Sequence, residues 1–303
     1  MSARLNLRRG SESDILNFHS QERVYMDQFK VRHAIIRSII AVAVAVLLLV
    51  FSVLMVVYAE EPASEQAGME SVTSAEQDAH HAAQLAQQIT RAYRAEYDLS
   101  RRGRTHGTAL RELKKTDEGM WQYHTNTEAS LLFLSDRRYN DSVFQLSGSQ
   151  VQPLNYVYER RGTGSNRYYA VTFNRENEYL RNDNGDAIHA QWRDDLLDAN
   201  TVLHQLQIDV AIGAEDHFEY FLIDEDGRDT SYEFAVDGRE SIRVLGENQE
   251  VIRVSRVRDH DRRQTYFWFA PKLNYTMVRM QQIEGGKEQA QVNLTKLRFS
   301  DER

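Results

Sequence analysis

Five carboxylate residues lie on or near segments with strand character, and paired carboxylates are the groups that glycan hydrolysis needs. They are Glu128, Glu159, Asp216, Glu219 and Glu233. In such enzymes two carboxyl groups face each other across a groove, at roughly 5 to 9.5 Å. The sequence does not show which of the five face each other, so a carbohydrate-active enzyme stays open as one alternative.

Metal binding is the second chemistry that the residue types suggest, because the chain has ten histidines. The segment Asp259-His260-Asp261 contains suitable ligands, but arginines flank it, which favours a salt-linked turn. Around Gly227, Asp224, Asp226 and Glu233 occupy the third, fifth and twelfth positions of a calcium loop, yet Leu222 occupies the first, where a carboxylate is required. We therefore expect no metal site and no other cofactor.

Several other function classes lack their signatures. The chain has no cysteine, which excludes thiolate metal sites and a cysteine nucleophile. Neither a Gly-x-Ser-x-Gly elbow nor a Gly-x-x-x-x-Gly-Lys phosphate loop occurs. The formal net charge of -8 argues against a nucleic-acid partner, because binding to phosphate backbones requires a basic face. We expect no nucleotide partner either.

Aromatic side chains are the remaining signal. They are more numerous than turns require, and most of them should form the core. Some could line an apolar groove for an acyl chain or an apolar peptide, because ligand pockets are mostly hydrophobic with few polar groups. The residues predicted to line such a groove are Phe133, Tyr156, Phe218 and Trp268.

The elements that must position these residues are mostly strands. From Tyr93 onward, aromatic and β-branched residues alternate with polar ones between Gly, Asn and Asp turns, a pattern typical of antiparallel strands. Asp237-Gly238 is read as one of these turns. The predicted strands are 92–100, 105–115, 120–130, 138–147, 150–160, 166–175, 216–224, 228–237, 240–245, 249–258, 264–270, 275–284 and 287–299.

One helix interrupts this pattern. Asp198 or Asn200 can cap a helix that runs to about Ile212, with Leu203 and Leu206 on one side. Such a helix should plug or cover the sheet. The predicted fold is therefore mainly β: a large antiparallel sheet, either a curved half-barrel or sandwich-like, with one or two helices.

A transmembrane helix is predicted ahead of this sheet. Residues 38–59 contain no charge, and the 21 residues from Ile39 to Ala59 span roughly 31 Å as a helix, close to the hydrocarbon thickness of a bilayer. Residues 1–37 hold seven Lys and Arg, whereas residues 38–90 hold none, so the N-terminus should stay cytoplasmic.

The predicted domains follow from these segments. Residues 1–37 form a cytoplasmic tail, 38–59 the membrane helix, 60–91 a polar stalk with a short helix that starts near Ser74, and 92–303 a periplasmic β-rich domain. We expect a single-pass protein of a bacterial inner membrane. A signal peptide cleaved after Ala59, with Met26 as the true start, is the alternative, and it would leave a soluble periplasmic protein.

Three segments resemble a known family. They are Glu128 to Asp136 (EASLLFLSD), Tyr156 to Arg160 (YVYER), and Thr265 to Pro271 (TYFWFAP) followed by Met277-Val278-Arg279. They are similar to the bacterial exported family called domain of unknown function 3108, over roughly residues 93–299. The resemblance implies an envelope location and a β-rich fold, and it carries over no catalytic residue.

The last third also resembles the half-barrel proteins that carry or sense lipoproteins in the periplasm. Their closing segment is similar to Trp268-Phe269, Pro271, Val278-Arg279, Gly285-Gly286 and Val292 to Phe299. This resemblance implies a curved sheet with an apolar concave side.

Taken together, these features predict a non-enzymatic binder of a lipid or other apolar ligand in envelope maintenance or transport. A cell-wall carbohydrate-active enzyme is the first alternative. An envelope scaffold that recruits proteins through sheet edges is the second. The expected partners are the membrane, through one helix, and a lipid or an envelope protein.

Overall fold

The computed structural model describes residues 70–131, 134–188 and 190–300, and these form two α-helices, a short 3-10 helix and fourteen strands. Helix α1 is Glu70–Ile89, helix α2 is Val202–Ile212, and the 3-10 helix is Pro271–Leu273. The strands are β1 Tyr93–Arg101, β2 Arg104–Lys115, β3 Trp121–Leu131, β4 Leu134–Ser147, β5 Gln150–Gly162, β6 Arg167–Asn174, β7 Tyr179–Asn182, β8 Leu197–Asp198, β9 His217–Ile223, β10 Asp229–Val244, β11 Glu247–Val257, β12 Arg263–Ala270, β13 Thr276–Glu284 and β14 Lys287–Phe299.

All fourteen strands belong to one sheet, in the order β7-β6-β5-β4-β3-β2-β1-β14-β13-β12-β11-β10-β9-β8. Two meanders, β1 to β7 and β9 to β14, are thus joined where β1 pairs with β14. The predicted mainly β fold is confirmed. The sheet is mixed rather than purely antiparallel, because β8 pairs with β9 in parallel, and it is a single sheet rather than a sandwich of two.

The predicted strands differ from the observed ones at three places. Asp237-Gly238 is not a hairpin turn: β10 continues through it with a bulge between Val236 and Gly238, so the segments 228–237 and 240–245 are one strand. A bulge places one extra residue in one strand, which resembles a turn in the sequence. The short strands β7 and β8 were not predicted, because two to four residues give no measurable alternation.

One side of the sheet, which we call the inner face, carries Tyr97, Tyr123, Phe144, Phe234 and Phe267. The alternation that predicted the strands buries these residues; in β1, for example, every second side chain is buried. Adjacent inner residues pack ring against ring, as Phe234 and Phe267 do at 5.8 Å between centroids. The core therefore lies on this face.

Helix α2 packs against the inner face, as the prediction of a plugging helix requires. Its His204 ring lies 5.7 Å from that of Tyr123 and 5.4 Å from that of Phe144. Residues on both sides of the helix are buried, including Leu206 and Gln207. The helix begins at Val202, later than predicted, because the Asp198 carboxylate accepts the amides of Asn200 and Thr201 in the preceding turn.

The sheet curls until its β8 end contacts the opposite meander. Ser142 Oγ in β4 donates to Asp198 in β8 at 2.9 Å. Arg167 in β6 pairs with Asp226, in the turn between β9 and β10, at 2.7 Å. Strands β7 and β8 stay the two ends of the sheet order, so the sheet is curled but not closed.

Helix α1 is joined to this core at its C-terminal end. Ala86 and Ile89 are buried, and Asn274 Nδ2 donates to the Ile89 carbonyl at 2.9 Å. The described part of this helix, Glu70–Ile89, includes the predicted capping residue Ser74. No helix in the described part of the chain is long and apolar enough to cross a membrane. The predicted membrane helix 38–59 lies outside the described residues.

Candidate functional site

The five carboxylates proposed for glycan hydrolysis do not meet at one groove. Glu128 in β3 lies 4.0 Å from Arg137, and Glu159 in β5 pairs with Arg161 at 2.5 Å. Glu219 and Glu233 are partners in register on β9 and β10, in the other meander, and both are exposed. Asp216 is exposed just before β9.

The predicted metal-ligand candidates are parts of turns. Asp259-His260-Asp261 is an exposed connection between β11 and β12. Asp224 accepts the backbone amides of Asp226 and Arg228 and pairs with the Arg228 guanidinium at 2.9 Å, so its oxygens are already used. Within the described ranges, no three His, Asp or Glu side chains are grouped as metal ligands would be.

The predicted groove residues are placed in different parts of the fold. Tyr156 is fully buried on the inner face, and its hydroxyl donates to Asn140 at 2.9 Å. Trp268 faces the opposite side of the sheet from Phe267, where its ring nitrogen donates to Glu240. Phe218 stacks on Tyr220 at 6.3 Å. Phe133 lies outside the described residues. These residues do not form one continuous groove.

A cavity does lie inside the curled sheet, with a volume of about 100 Å³. It is bounded by strands of both meanders, by the start of α2 and by the turn between β9 and β10. Part of its wall is apolar. The apolar lining residues include Tyr97, Ala109, Leu203, Met277, Met280 and Val292.

The remainder of the wall is polar and comes from β2, β3, β4 and the residues just before α2. Arg111 and Arg138 line this part, together with Thr125, Asn140 and Asn200. Several of these side chains bond to one another: Thr125 Oγ1 donates to Asn200 at 2.8 Å, and Asn140 Nδ2 donates to Thr125 at 3.3 Å. These hydrogen bonds hold the polar side chains in place against the cavity.

Glu225 reaches this cavity from the turn after β9. It is 4% exposed, and its Oε2 atom has no hydrogen-bond partner among the described residues. Burial raises the pKa of the Glu225 carboxyl well above its usual range, although the charge of Arg138 opposes this shift. A carboxyl in this position favours its neutral form.

Arg138 is held differently from the other polar residues. Its Nη2 lies 2.7 Å from Asp136, and Asp136 also accepts from Arg160 at 2.7 Å. Burial lowers the pKa of Arg138 to about 10, which still leaves it charged at neutral pH. This cation therefore has its counter-charge within the protein.

A second, more polar cleft of about 350 Å³ lies between α1, the end of α2 and β9. Phe218 and Tyr220 line it, beside Asp209, Glu215 and Glu219. Tyr220 donates to Asp209 at 2.7 Å. Burial raises the pKa of Asp209 to about 6. The only predicted groove residue in this cleft is Phe218.

The residues that line the inner cavity were missed by sequence reasoning. The sequence offered one signal for these residues, which is that every second residue of β2 points to the same face. That set includes Ala109, Arg111 and Leu113. An arginine in a strand normally faces solvent, and only the register shows which phase of β2 faces inward. Met277 and Met280 lie far from β2 in the sequence, and only the curl of the sheet brings them to the same cavity.

Comparison with known proteins identifies the family. Residues 92–291, about two thirds of the chain, match the family described as Protein of unknown function (DUF3108). The chain belongs to this family, as its sequence predicted. No curated protein sequence matches the chain.

Three solved structures are similar in part. The chain is 10% identical to a beta-barrel-like DUF1849 protein of Brucella abortus, covering 70% of this chain and 98% of that one, with a TM-score of 0.49. Against the MucA/MucB complex of Pseudomonas aeruginosa the identity is 12%, over 74% of this chain and 58% of the other, with a TM-score of 0.30. The chain is 10% identical to LprF of Mycobacterium bovis, over 72% of this chain and 92% of that one, with a TM-score of 0.24. What this chain binds must be inferred from its own residues.

Proposed function

We propose that this DUF3108 protein is a non-enzymatic binding protein whose ligand places an apolar portion in the cavity on the inner face. The observation that carries the proposal is the cavity itself. Its lining combines methyl, thioether and aromatic groups with ordered polar groups. Pockets for small ligands typically combine a mostly apolar lining with a few fixed polar groups.

The size of the cavity limits what it holds as it stands. About 100 Å³ is smaller than the roughly 300 to 1,000 Å³ of pockets for drug-sized ligands. Met277 and Met280 form part of the wall, and methionine side chains adapt readily because they are unbranched. A short apolar group fits directly, whereas a long acyl chain requires these two side chains to move.

We also propose that this domain works in the bacterial envelope, held to the inner membrane by residues 38–59. The charge-free span and the seven basic residues before it support this location. Protease added outside spheroplasts should degrade the domain while it leaves a cytoplasmic control intact. A domain that survives as long as the cytoplasmic control refutes the location.

Retention of a ligand from the cell tests the binding proposal. The full chain, purified in a mild detergent, should carry a bound lipid or fatty acid that native mass spectrometry detects. Ala109→Phe places a large ring in the cavity wall and should abolish the bound mass. Thr108→Phe adds the same ring to an exposed neighbouring position on the outer face, and it should retain the ligand.

Both variants must give the circular dichroism spectrum of the native protein for the comparison to count. A bound mass that survives in Ala109→Phe places the ligand elsewhere and refutes the cavity. A native protein that carries no ligand, and that binds no short-chain alcohol or acid on titration, refutes the binding function.

A further inference from the structure

Among the described residues, Arg111 is a charged group on the cavity wall that forms no ion pair. It lies in β2, opposite Ala95 and Thr125 in the neighbouring strands, and it is partly buried. Its Nη1 donates to the Tyr123 hydroxyl at 3.0 Å. Among the described residues, no carboxylate lies within ion-pair distance of its guanidinium. Arg138, on the same wall, is paired with Asp136.

Tyrosine hydroxyls, rather than acids, surround the guanidinium. Tyr93, Tyr97 and Tyr123 are close enough to interact electrostatically with it. Burial raises the pKa of both Tyr93 and Tyr97, so they are neutral at physiological pH. They offer hydrogen-bond acceptors to Arg111 but no negative charge.

The acid that faces the same cavity is Glu225. Its Coulombic partners are Arg138 and Arg256, and its raised pKa favours the neutral form. Glu225 therefore does not neutralise Arg111. A cation taken partly out of water without a counter-ion costs free energy in the empty protein. Such an arrangement becomes favourable when a ligand brings the missing anion.

We infer that Arg111 binds the anionic group of the ligand, a carboxylate or a phosphate, while the ligand's apolar part lies along Tyr97, Met277, Met280 and Val292. The inference rests on the proposed binding function and names the chemical class of its ligand. A guanidinium suits this role because its planar N–H groups match the two oxygens of a carboxylate or phosphate. The Thr127 hydroxyl, on the same wall, is a further possible donor.

Three probes with the same six-carbon chain test this inference on the full chain: hexanoate, hexyl phosphate and hexanol. Binding is measured by isothermal titration calorimetry, with titration into empty detergent micelles as the blank. We expect the better of the two anions to bind at least about tenfold more tightly than hexanol, because its charge strengthens the hydrogen bonds that Arg111 donates to it. The preference between hexanoate and hexyl phosphate identifies the anion.

The decisive variant is Arg111→Gln, which should lose this preference for anions and keep its affinity for hexanol. Arg111→Lys keeps the charge but not the planar fork, and it should retain part of the preference. Arg104→Gln removes an exposed arginine at the first residue of the same strand, and this variant should bind all three probes as the native protein does. Because the substitution leaves no described carboxylate without its ion-pair partner, we expect Arg111→Gln to unfold at the native temperature or above it.

The outcomes separate the inference from the proposed function. Equal affinity of the native protein for hexanol and for both anions overturns the role of Arg111 and leaves the cavity as an apolar site. An anion preference that survives in Arg111→Gln also overturns the role of Arg111. If Arg111→Gln does not fold, Arg111→Lys replaces it, and an anion affinity in Arg111→Lys equal to that of the native protein overturns the role. Failure of all three probes to bind a native protein that also carries no ligand from the cell refutes the proposed function instead.

Discussion

Asp198→Asn tests how the β8 end of the sheet is attached to the opposite meander. Asp198 is fully buried, and its Oδ1 accepts hydrogen bonds from Ser142 Oγ at 2.9 Å and from the amides of Asn200 and Thr201, both at 2.8 Å. Its Oδ2 has no hydrogen-bond partner among the described residues. Asparagine can therefore keep all three bonds through its carbonyl oxygen and lose only the charge.

The magnitude follows from the pKa of this carboxyl. Burial raises the pKa of Asp198 from 3.8 to about 6, against the opposing effect of its hydrogen bonds. Between pH 4 and 6 the folded protein thus holds more protons than the unfolded chain, so this group's contribution to stability decreases as the pH rises. A shift of about two units at about 1.4 kcal/mol per unit corresponds to about 3 kcal/mol. Asparagine does not titrate, so the variant avoids this loss.

The assay is denaturant unfolding of both full chains at several pH values from 4 to 7. The stability of Asp198→Asn relative to the native protein should improve by roughly 2 to 2.5 kcal/mol from pH 4 to 7, because the remainder of the effect lies below pH 4. His204, whose pKa burial lowers to about 4, and Asp209 titrate in the same window, but they do so in both proteins and cancel in the difference. The exposed Asp259→Asn serves as the surface control.

A difference that stays constant from pH 4 to 7 would refute the reasoning, because it would mean that Asp198 is solvated rather than buried. A variant that is several kcal/mol less stable at every pH would show instead that asparagine cannot keep the three hydrogen bonds.

Two further predictions concern the curl of the sheet and the second cleft. Gly227→Ala should lower the free energy of unfolding by about 2 kcal/mol or more, because the new Cβ would lie 2.5 Å from the Tyr169 ring. The control is Gly185→Ala, which has a similar positive φ but no neighbour within 4 Å of the new Cβ, and it should lower stability less in the same thermal unfolding assay. Equal losses would contradict the close contact. Tyr220→Phe removes the hydrogen bond to Asp209 and should lower the free energy of unfolding by about 1–3 kcal/mol at pH 7. The decrease should be smaller at pH 4.5, where Asp209 is protonated, and a decrease that does not depend on pH would contradict this.

Much of the fold could be predicted from the sequence because its signals are local. The alternation in β1, where Tyr93, Ala95, Tyr97 and Leu99 point to one face, is a property of a few adjacent residues. The helix after Asp198 was predicted for the same reason. The prediction was wrong at Asp237-Gly238, since a bulge and a turn use the same residue types and only the pairing with β11 distinguishes them.

The candidate site was much less predictable. Aromatic content indicated an apolar site but selected Tyr156, Phe218 and Trp268, which serve in packing at three separate places. Large aromatic side chains fill cores as readily as they line pockets, and the sequence does not distinguish the two roles. Arg111 was overlooked because an arginine between polar and apolar neighbours looks like a surface residue.

By itself, the sequence determined the strand-rich body, the family and the charge-free span at residues 38–59, because each is encoded in neighbouring residues or in a continuous segment. Only the tertiary structure decided that β1 pairs with β14, that the sheet curls around α2, and that Arg111 lines the same cavity as Met277 and Met280. Strand register and sheet curvature depend on contacts between residues far apart in the chain. That no carboxylate in the described part of the chain pairs with Arg111 is likewise a property of that three-dimensional neighbourhood.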